Sequence, residues 1–218
     1  MSKEALLILL FILLMAIAIP YMFRANFQTK LQKCKANNDY QGALKIVENR
    51  FYVYLFGRFS SLMEKLQIYM TTNNYDKMKE VIDTVIDGSF SKKEKNFVCS
   101  NSFFFFVDAK DKQYCKKLLD CLRKTADIDE YEFDTLLYRF LVDDSASQSD
   151  VEHVLEMLDM VNPSSKNKVQ VGMMQYMLGT YYLNHNEKKK GESFLNKAKL
   201  NLKQTPYHSK VKNLLQEH

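Results

Sequence analysis

Residues 175–198 read QYMLGTYYLNHNEKKKGESFLNKA, and this stretch decides the fold. Its first half is largely apolar, and its middle is the polar segment 184–187. Its second half places Gly191, Leu195 and Ala198 at offsets of 0, 4 and 7 residues. These offsets lie on one face of an α-helix. The stretch therefore predicts two helices that are joined by a short polar turn and that pack their apolar faces together.

The same pattern occurs five times along the chain. The residues at the start of each second helix are spaced by 35, 37, 36 and 40 residues: Ala43, Met78, Cys115, Val151 and Gly191. Aliphatic residues follow four positions later, at Val47, Ile82, Leu119, Leu155 and Leu195, and apolar residues precede by nine positions, at Cys34, Tyr69, Phe106, Val142 and Tyr182. Because a unit of this length cannot bury its apolar faces alone, we expect neighbouring hairpins to stack.

The segments between the paired helices carry residues that suit a reversal of the chain. Three Asn residues fall at the same point of the alignment: Asn38, Asn73 and Asn186. Asn tolerates a left-handed backbone conformation better than other residues that carry a side chain. The predicted N-caps of the second helices are Asp39, Asp111 and Asp150.

The spacing and the pattern Leu178-Gly179, Tyr182, Gly191, Leu195 and Ala198 resemble tetratricopeptide repeats. The last copy departs from that family at Gln175, where an aromatic residue is typical, and the four earlier copies lack the Leu-Gly pair. Over residues 24–204 the resemblance implies an all-α fold, an antiparallel helical-hairpin (TPR-like) right-handed solenoid of about five repeats. Residues 205–218 then form a C-terminal capping helix.

Tetratricopeptide repeats usually bind peptides on the concave surface that the first helix of each pair provides. The residues expected there are Met63, Gln67, Met70, Phe97, Phe104, Phe133, Leu136, Phe140, Met173, Tyr176 and Thr180. This set is mostly apolar and aromatic, which suits an amphipathic helix or a hydrophobic peptide. The alternative is that many of these side chains belong to the core, since an aromatic stripe at helical spacing is usually buried. The family's lysine and asparagine clamp for C-terminal carboxylates is not matched, so a partner with an acidic tail is not expected.

The N-terminal stretch Ala5–Phe23 contains no charged residue. As a helix it would be about 28 Å long, close to the roughly 30 Å hydrocarbon core of a bilayer. Residues 1–23 are therefore predicted to be a single-pass transmembrane anchor. The competing interpretation is a cleaved signal peptide, because Ala16-Ile17-Ala18 has the form of a cleavage site. The first repeat begins directly after the apolar stretch, so residues 4–37 are expected to form one long helix.

The flanking charges predict the orientation of this anchor. Four basic residues follow the apolar stretch, at Arg24, Lys30, Lys33 and Lys35, whereas Lys3 alone precedes it. By the positive-inside rule the C-terminal body is expected in the cytoplasm. The four cysteines, without a Cys-x-x-Cys pair, are expected to be free thiols packed as small hydrophobic residues, which agrees with a reducing compartment.

Other classes of function find little support in the sequence. The net charge of +5 is split between an acidic segment at 127–161 and a basic segment at 163–218, so no nucleic-acid interface is expected. There is no Gly-rich phosphate loop, no Gly-x-Ser-x-Gly and no pair of histidines at ligand spacing. We therefore expect no enzyme activity, no cofactor and no metal, and the acids of 127–134 are expected to be a solvated helix start.

These observations predict a membrane-anchored scaffold or adaptor that binds a protein partner on its repeat surface, with the membrane contacted by residues 5–23. The alternatives are an extracytoplasmic repeat protein, exported or anchored, a structural subunit of a larger membrane complex, and an enzyme of unrecognised type. The sequence does not identify the partner.

Overall fold

A computed structural model describes residues 3–161 and 167–217, apart from the side chains of residues 3–6, 8, 9 and 11. These residues form α-helices with no β-strand, so the all-α prediction is confirmed. The chain divides into two compact units, Met1–Val98 and Cys99–His218, and the division falls inside one helix. Each unit has its own core.

The helices of unit 1 are α1 (Lys3–Ala36), α2 (Tyr40–Val47), α3 (Arg50–Phe56), α4 (Arg58–Thr71) and α5 (Tyr75–Ile86). The next helix, α6 (Lys92–Asp108), contains residues of both units. Unit 2 continues with α7 (Lys112–Thr125), α8 (Ile128–Tyr138), a π-helical turn (Arg139–Asp143), α9 (Gln148–Met160), α10 (Lys168–Asn184), α11 (Lys188–Asn201) and α12 (Tyr207–Glu217). Helix α12 lies at the place of the predicted capping helix.

Four turns share one backbone geometry. Left-handed φ angles of 57°, 51°, 53° and 62° occur at Asn38, Asn73, Lys110 and Asn186. In each turn the following residue donates its N–H to the carbonyl oxygen five residues earlier, as Asp39 does to Cys34 at 2.8 Å and Glu187 does to Tyr182 at 2.8 Å. This is the Schellman arrangement at the end of a helix. The turns predicted at the three Asn residues are confirmed, and Lys110 adopts the same conformation.

The N-caps agree with the sequence at two of three predicted positions. The carboxylate of Asp39 accepts the N–H of Gly42 at 2.8 Å, and that of Asp111 accepts the N–H of Tyr114 at 3.0 Å. The prediction for Asp150 is wrong. Ser147 is the N-cap of α9, and the Asp150 carboxylate bonds back to the Ser147 N–H at 2.8 Å, which completes a capping box.

Helix α1 runs without a break from Lys3 to Ala36 and includes Pro20, so the prediction of one long helix is confirmed. The predicted domain boundary after residue 23 lies inside it. Its C-terminal part contributes Leu31 to the core of unit 1, with Phe27 and Cys34 packed alongside. The other buried members of this core are Ala43, Val47, Tyr52 and Ile68.

Helix α3 was not anticipated from the repeat pattern, which continues the second helix to Arg50. Helix α2 ends at Val47, because the side chain of Asn49 accepts the N–H of Phe51 at 2.8 Å and caps a new helix. The Arg24 side chain of α1 holds the far end of α3 by donating from Nε and Nη2 to the Leu55 carbonyl oxygen at 3.0 and 2.7 Å.

Unit 2 is built around α10, in which ten of seventeen residues are buried. Two glycines allow α10 and α11 to approach closely. A Cβ added to Gly179 would lie 2.7 Å from the Leu195 side chain, and one added to Gly191 would lie 3.1 Å from the Gly179 carbonyl oxygen. In the run of four phenylalanines on α6, Phe103 and Phe106 are fully buried, whereas Phe104 and Phe105 are half-buried. Cys99, Cys115 and Cys121 are buried thiols, in agreement with the prediction, and Cys34 of unit 1 is half-buried.

The predicted membrane span at Ala5–Phe23 forms the first part of α1, and the side chains of residues 5, 6, 8, 9 and 11 lie outside the description. Among the described residues, no helix is both long enough and apolar enough to cross a membrane.

Candidate functional site

The first part of α1 presents an uncovered apolar surface. Its exposed large side chains are Leu7, Leu10, Ile12, Leu13, Leu14, Met15, Ile17, Ile19, Tyr21, Met22 and Phe23, with exposed fractions of 41–74%. Four of them, Ile12 to Met15, are consecutive and span a full turn, so the exposed apolar side chains surround the helix. A helix that is apolar all round is normally buried in protein or lipid, and large exposed apolar surfaces are typical of interaction sites.

The exposed segment of α1 contacts the rest of unit 1 only near its C-terminal end, as far as the described residues show. The Phe23 ring lies edge-on to the Phe51 ring at 5.1 Å, and the Phe27 ring lies edge-on to Tyr52 at 5.7 Å. The Arg24 hydrogen bonds to α3 fix the next residue. These contacts attach the C-terminal end of the exposed segment to the unit 1 core.

Four of the predicted groove residues lie in unit 1, where they are half-buried or exposed: Met63, Gln67, Met70 and Phe97. The Gln67 side-chain oxygen accepts from Lys35 Nζ at 2.6 Å, and the same ammonium pairs with Glu64 at 2.5 Å. Phe97 is 54% exposed and lies 6.4 Å from the Phe59 ring. The face of α4 at Gln67 is therefore engaged by a polar contact with α1.

The other seven predicted groove residues lie in unit 2. Leu136, Phe140, Met173 and Tyr176 are buried, whereas Phe104, Phe133 and Thr180 are half-buried. Tyr207 of α12 draws two of them together, since its ring lies 6.4 Å from Phe104 and 5.7 Å from Tyr176. A partner can reach the four buried side chains only if unit 2 opens.

A cleft of about 660 Å³ opens between α8 and α9 in unit 2. It is lined by Ile128, Tyr131, Glu132, Thr135, Leu136, Arg139, Ser149, Asp150, Glu152, His153 and Glu156. Of the predicted groove residues it includes only Leu136. The acidic lining of the cleft reflects the excess of acids over residues 127–161, where Arg139 is the only Lys or Arg.

Two contacts order the charges of the cleft. Arg139 Nη1 pairs with Asp150 Oδ1 at 2.7 Å, and His153 Nε2 lies 3.4 Å from Glu132 Oε1. Burial opposes ionisation of Asp150, yet hydrogen bonds from Ser147 and Arg139 lower its pKa overall. Glu152 and Glu156 add further negative charge to the lining. The cleft is therefore suited to a cationic side chain placed beside an apolar one.

A second acidic feature of α8 is the buried carboxyl of Asp134, which is 4% exposed. Burial, and to a lesser extent the negative charge of Glu130 one turn earlier, together raise its pKa to about 7. Glu130 accepts a hydrogen bond from Ser100 Oγ at 2.6 Å. The expectation that all acids of 127–134 are solvated is wrong for Asp134. Its spacing of three and four residues from Leu137 and Tyr138 puts it on the same face of α8 as these two buried residues.

No group of three or more His, Cys, Asp or Glu side chains in the described part of the chain is placed to hold a metal ion. No protein-family model, curated protein or solved structure matches this chain.

Proposed function

We propose that this protein is a membrane-anchored scaffold of helical hairpins that binds a protein partner, with residues 5–23 inserted in the bilayer. The observation that carries the proposal is the uncovered apolar surface of α1, which continues a helix whose other end is packed in unit 1. Twelve Leu, Ile or Phe residues in 5–23 contribute about −6 kcal/mol to insertion at roughly −0.5 kcal/mol each. Insertion removes from water the side chains that unit 1 leaves exposed.

The four matching turns support the repeat character of the scaffold. A shared Schellman turn at spacings of 35 and 37 residues between Asn38, Asn73 and Lys110 is what a tandem array of helical hairpins requires. The basic residues after the apolar stretch favour a body on the cytoplasmic side. We assign partner binding to the cleft between α8 and α9, where the acidic lining suits a basic segment of the partner.

A pair of lysine substitutions tests the anchor. Leu13→Lys with Ile17→Lys places two charges near the middle of the apolar stretch, at about 3 kcal/mol each, which offsets the roughly −6 kcal/mol of the stretch. We expect the variant to be extracted from cell membranes at alkaline pH, while the wild type stays in the pellet. The matched control is Gln28→Lys with Gln32→Lys, which adds the same charge to exposed positions further along α1. Equal extraction of wild type and both variants contradicts the proposal.

Partner binding is tested separately. A protein that co-purifies with the wild type in mild detergent should be lost from Glu152→Lys with Glu156→Lys, because the charge of the cleft is reversed. Glu217→Lys, at the exposed end of α12, is the control and should retain the partner. Retention by both variants excludes the cleft as the binding site.

A further inference from the structure

Helix α3 presents aromatic side chains beside the end of the apolar stretch. Tyr54 is 81% exposed and Phe51 is 42% exposed, although both belong to a helix that buries Tyr52 and Leu55 on its other face. The Phe51 ring stacks parallel to Tyr54 at 6.3 Å and meets the edge of Phe23 at 5.1 Å. The exposed rings of α3 therefore form one surface with the last apolar residue of the stretch on α1.

The charged side chains within residues 50–58 are both basic. Residues 50–58 contain Arg50 and Arg58 and no acid, and both arginines are exposed. The Arg58 guanidinium also lies 5.5 Å from the centre of the Phe90 ring, which steadies it. Arg24 ties the C-terminal end of α3 to α1 through the Leu55 carbonyl oxygen. Helix α3 is thus tied to α1 immediately after the apolar stretch, with Arg50 as its first residue and Arg58 as the first residue of α4.

The length of α1 sets the depth of this surface. Phe23 is nine residues beyond Leu14, the centre of 5–23, which corresponds to about 14 Å along a helix. Half of a bilayer's hydrocarbon core is about 15 Å thick. If the centre of 5–23 lies at the bilayer midplane, Phe23 and the rings that contact it lie at the boundary between acyl chains and headgroups.

We propose that α3 seats unit 1 on the membrane surface, with Phe51 and Tyr54 entering the headgroup boundary and Arg50 and Arg58 facing lipid phosphates. The inference rests on the anchoring proposed above and adds a second lipid contact to it. Tyrosine is enriched at this boundary, because its ring is apolar and its hydroxyl remains hydrated. Arginine pairs with phosphate oxygens, and a basic surface is attracted to anionic lipids. The continuity of Phe51 with Phe23 selects lipid as the occupant of this surface.

The absence of tryptophan from the sequence permits a direct test. Full-length single-tryptophan variants Tyr54→Trp, Tyr21→Trp and Tyr40→Trp are reconstituted in vesicles of phosphatidylcholine and phosphatidylserine that contain lipids brominated at shallow or deep acyl positions. Tyr21 reports on the anchor and Tyr54 on α3. Tyr40 is the control, because α1 extends about 20 Å beyond Phe23 before α2 begins. Circular dichroism verifies that each variant retains its helices.

We expect shallow bromines to quench Tyr54→Trp at least twofold more than they quench Tyr40→Trp, and Tyr21→Trp to be quenched as well. Adding Arg50→Glu and Arg58→Glu should reduce the quenching of Tyr54→Trp and leave that of Tyr21→Trp unchanged. Quenching of Tyr21→Trp with none at Tyr54→Trp overturns the seating of α3 and leaves the anchor intact, and the surface is then available to a protein partner or a second copy. No quenching at either position overturns both proposals.

Discussion

Helix α1 of unit 1 and helix α10 of unit 2 are each followed by the same turn, yet they differ in what covers them. Asn38 and Asn186 both adopt a left-handed conformation, and the N–H of the following residue bonds five residues back in both turns. Helix α10 nevertheless has ten buried residues, whereas the first part of α1 exposes leucine and isoleucine on all sides. The turn therefore fixes the reversal of the chain, and the neighbouring helices decide the burial.

The contrast extends to polar groups. Unit 2 covers its interior so fully that it encloses the carboxyl of Asp134, while unit 1 leaves its most apolar segment without protein cover. Burying a charge costs free energy and exposing apolar surface costs free energy, so each unit departs from the usual distribution in an opposite direction. A lipid environment would remove the exposed apolar surface of unit 1 from water and so relieve its free-energy cost. Unit 2 can relieve its cost by keeping Asp134 protonated.

The largest expected effect is the removal of that buried charge. Asp134 has a pKa of about 7 in the folded chain against 3.8 for the free side chain, so between these pH values the folded state holds a proton that the unfolded state has lost. The stability of unit 2 therefore falls as pH rises from about 4 to 7, and the cost is complete above pH 7. Asp134→Asn should raise the free energy of unfolding at pH 8 by up to about 4 kcal/mol and change it little at pH 4.

Hydrogen exchange of unit 2 peptides in the full-length chain, at pH 4, 6 and 8 with correction for intrinsic rates, measures this effect. Asp129→Asn is the control, because Asp129 lies in the exposed first turn of α8. If Asp134→Asn raises the free energy of unfolding of unit 2 by the same amount at all three pH values, ionisation of the Asp134 carboxyl does not cause the pH dependence of stability.

The next effect compares two leucines directly. Leu178 of α10 is fully buried, and Leu14 of α1 is 57% exposed. Leu178→Ala should lower the free energy of unfolding of unit 2 by about 3 kcal/mol, through lost burial and the cavity that remains. Leu14→Ala in detergent should change the stability of unit 1 by less than about 0.5 kcal/mol, because no protein group loses a contact. Denaturant titration with hydrogen exchange resolves the two units, and equal costs would contradict the contrast between them.

Much of this contrast follows from the sequence. The offsets of 0, 4 and 7 residues located the buried faces, so Ala43, Met78, Val151 and Leu195 are fully buried as the pattern predicts. The uninterrupted helix from Lys3 to Ala36 could also be predicted from the sequence. This segment contains no glycine, and Pro20 is its only proline.

Other features depend on choices between local and tertiary contacts that one sequence does not decide. The end of α2 at Val47 results from capping by Asn49, a residue equally compatible with a helix surface. The interior position of Asp134 depends on which face of α8 its neighbours cover. The cleft between α8 and α9 depends on the separation of two helices, and no residue pattern encodes that separation.

A smaller effect tests the close packing of the two helices in the last hairpin. Twelve residues before the residue that opens the second helix, the first hairpin has Leu31 and the last has Gly179. A methyl group on Gly179 would lie 2.7 Å from Leu195 Cγ and 3.2 Å from its backbone nitrogen. Gly179→Ala should lower the stability of unit 2 by about 1–2 kcal/mol, the cost of overpacking less the gain in helix propensity. Leu195→Val in the same chain should recover part of this loss in a double-mutant cycle, and strict additivity would exclude the contact.

The smallest effect concerns what the two regions share. Alanine tolerates the left-handed backbone conformation less well than Asn. Asn38→Ala and Asn186→Ala should therefore each lower the free energy of unfolding by about 1 kcal/mol. Hydrogen exchange at the N–H of Asp39 and Glu187, which closes each turn, reports the loss. If the two losses of free energy of unfolding agree within about 0.5 kcal/mol, the contribution of the turn to stability does not depend on what covers the preceding helix. If Asn186→Ala costs several times more than Asn38→Ala, the buried surroundings of α10 determine the stability of its turn, and the two hairpins differ even at their most similar point.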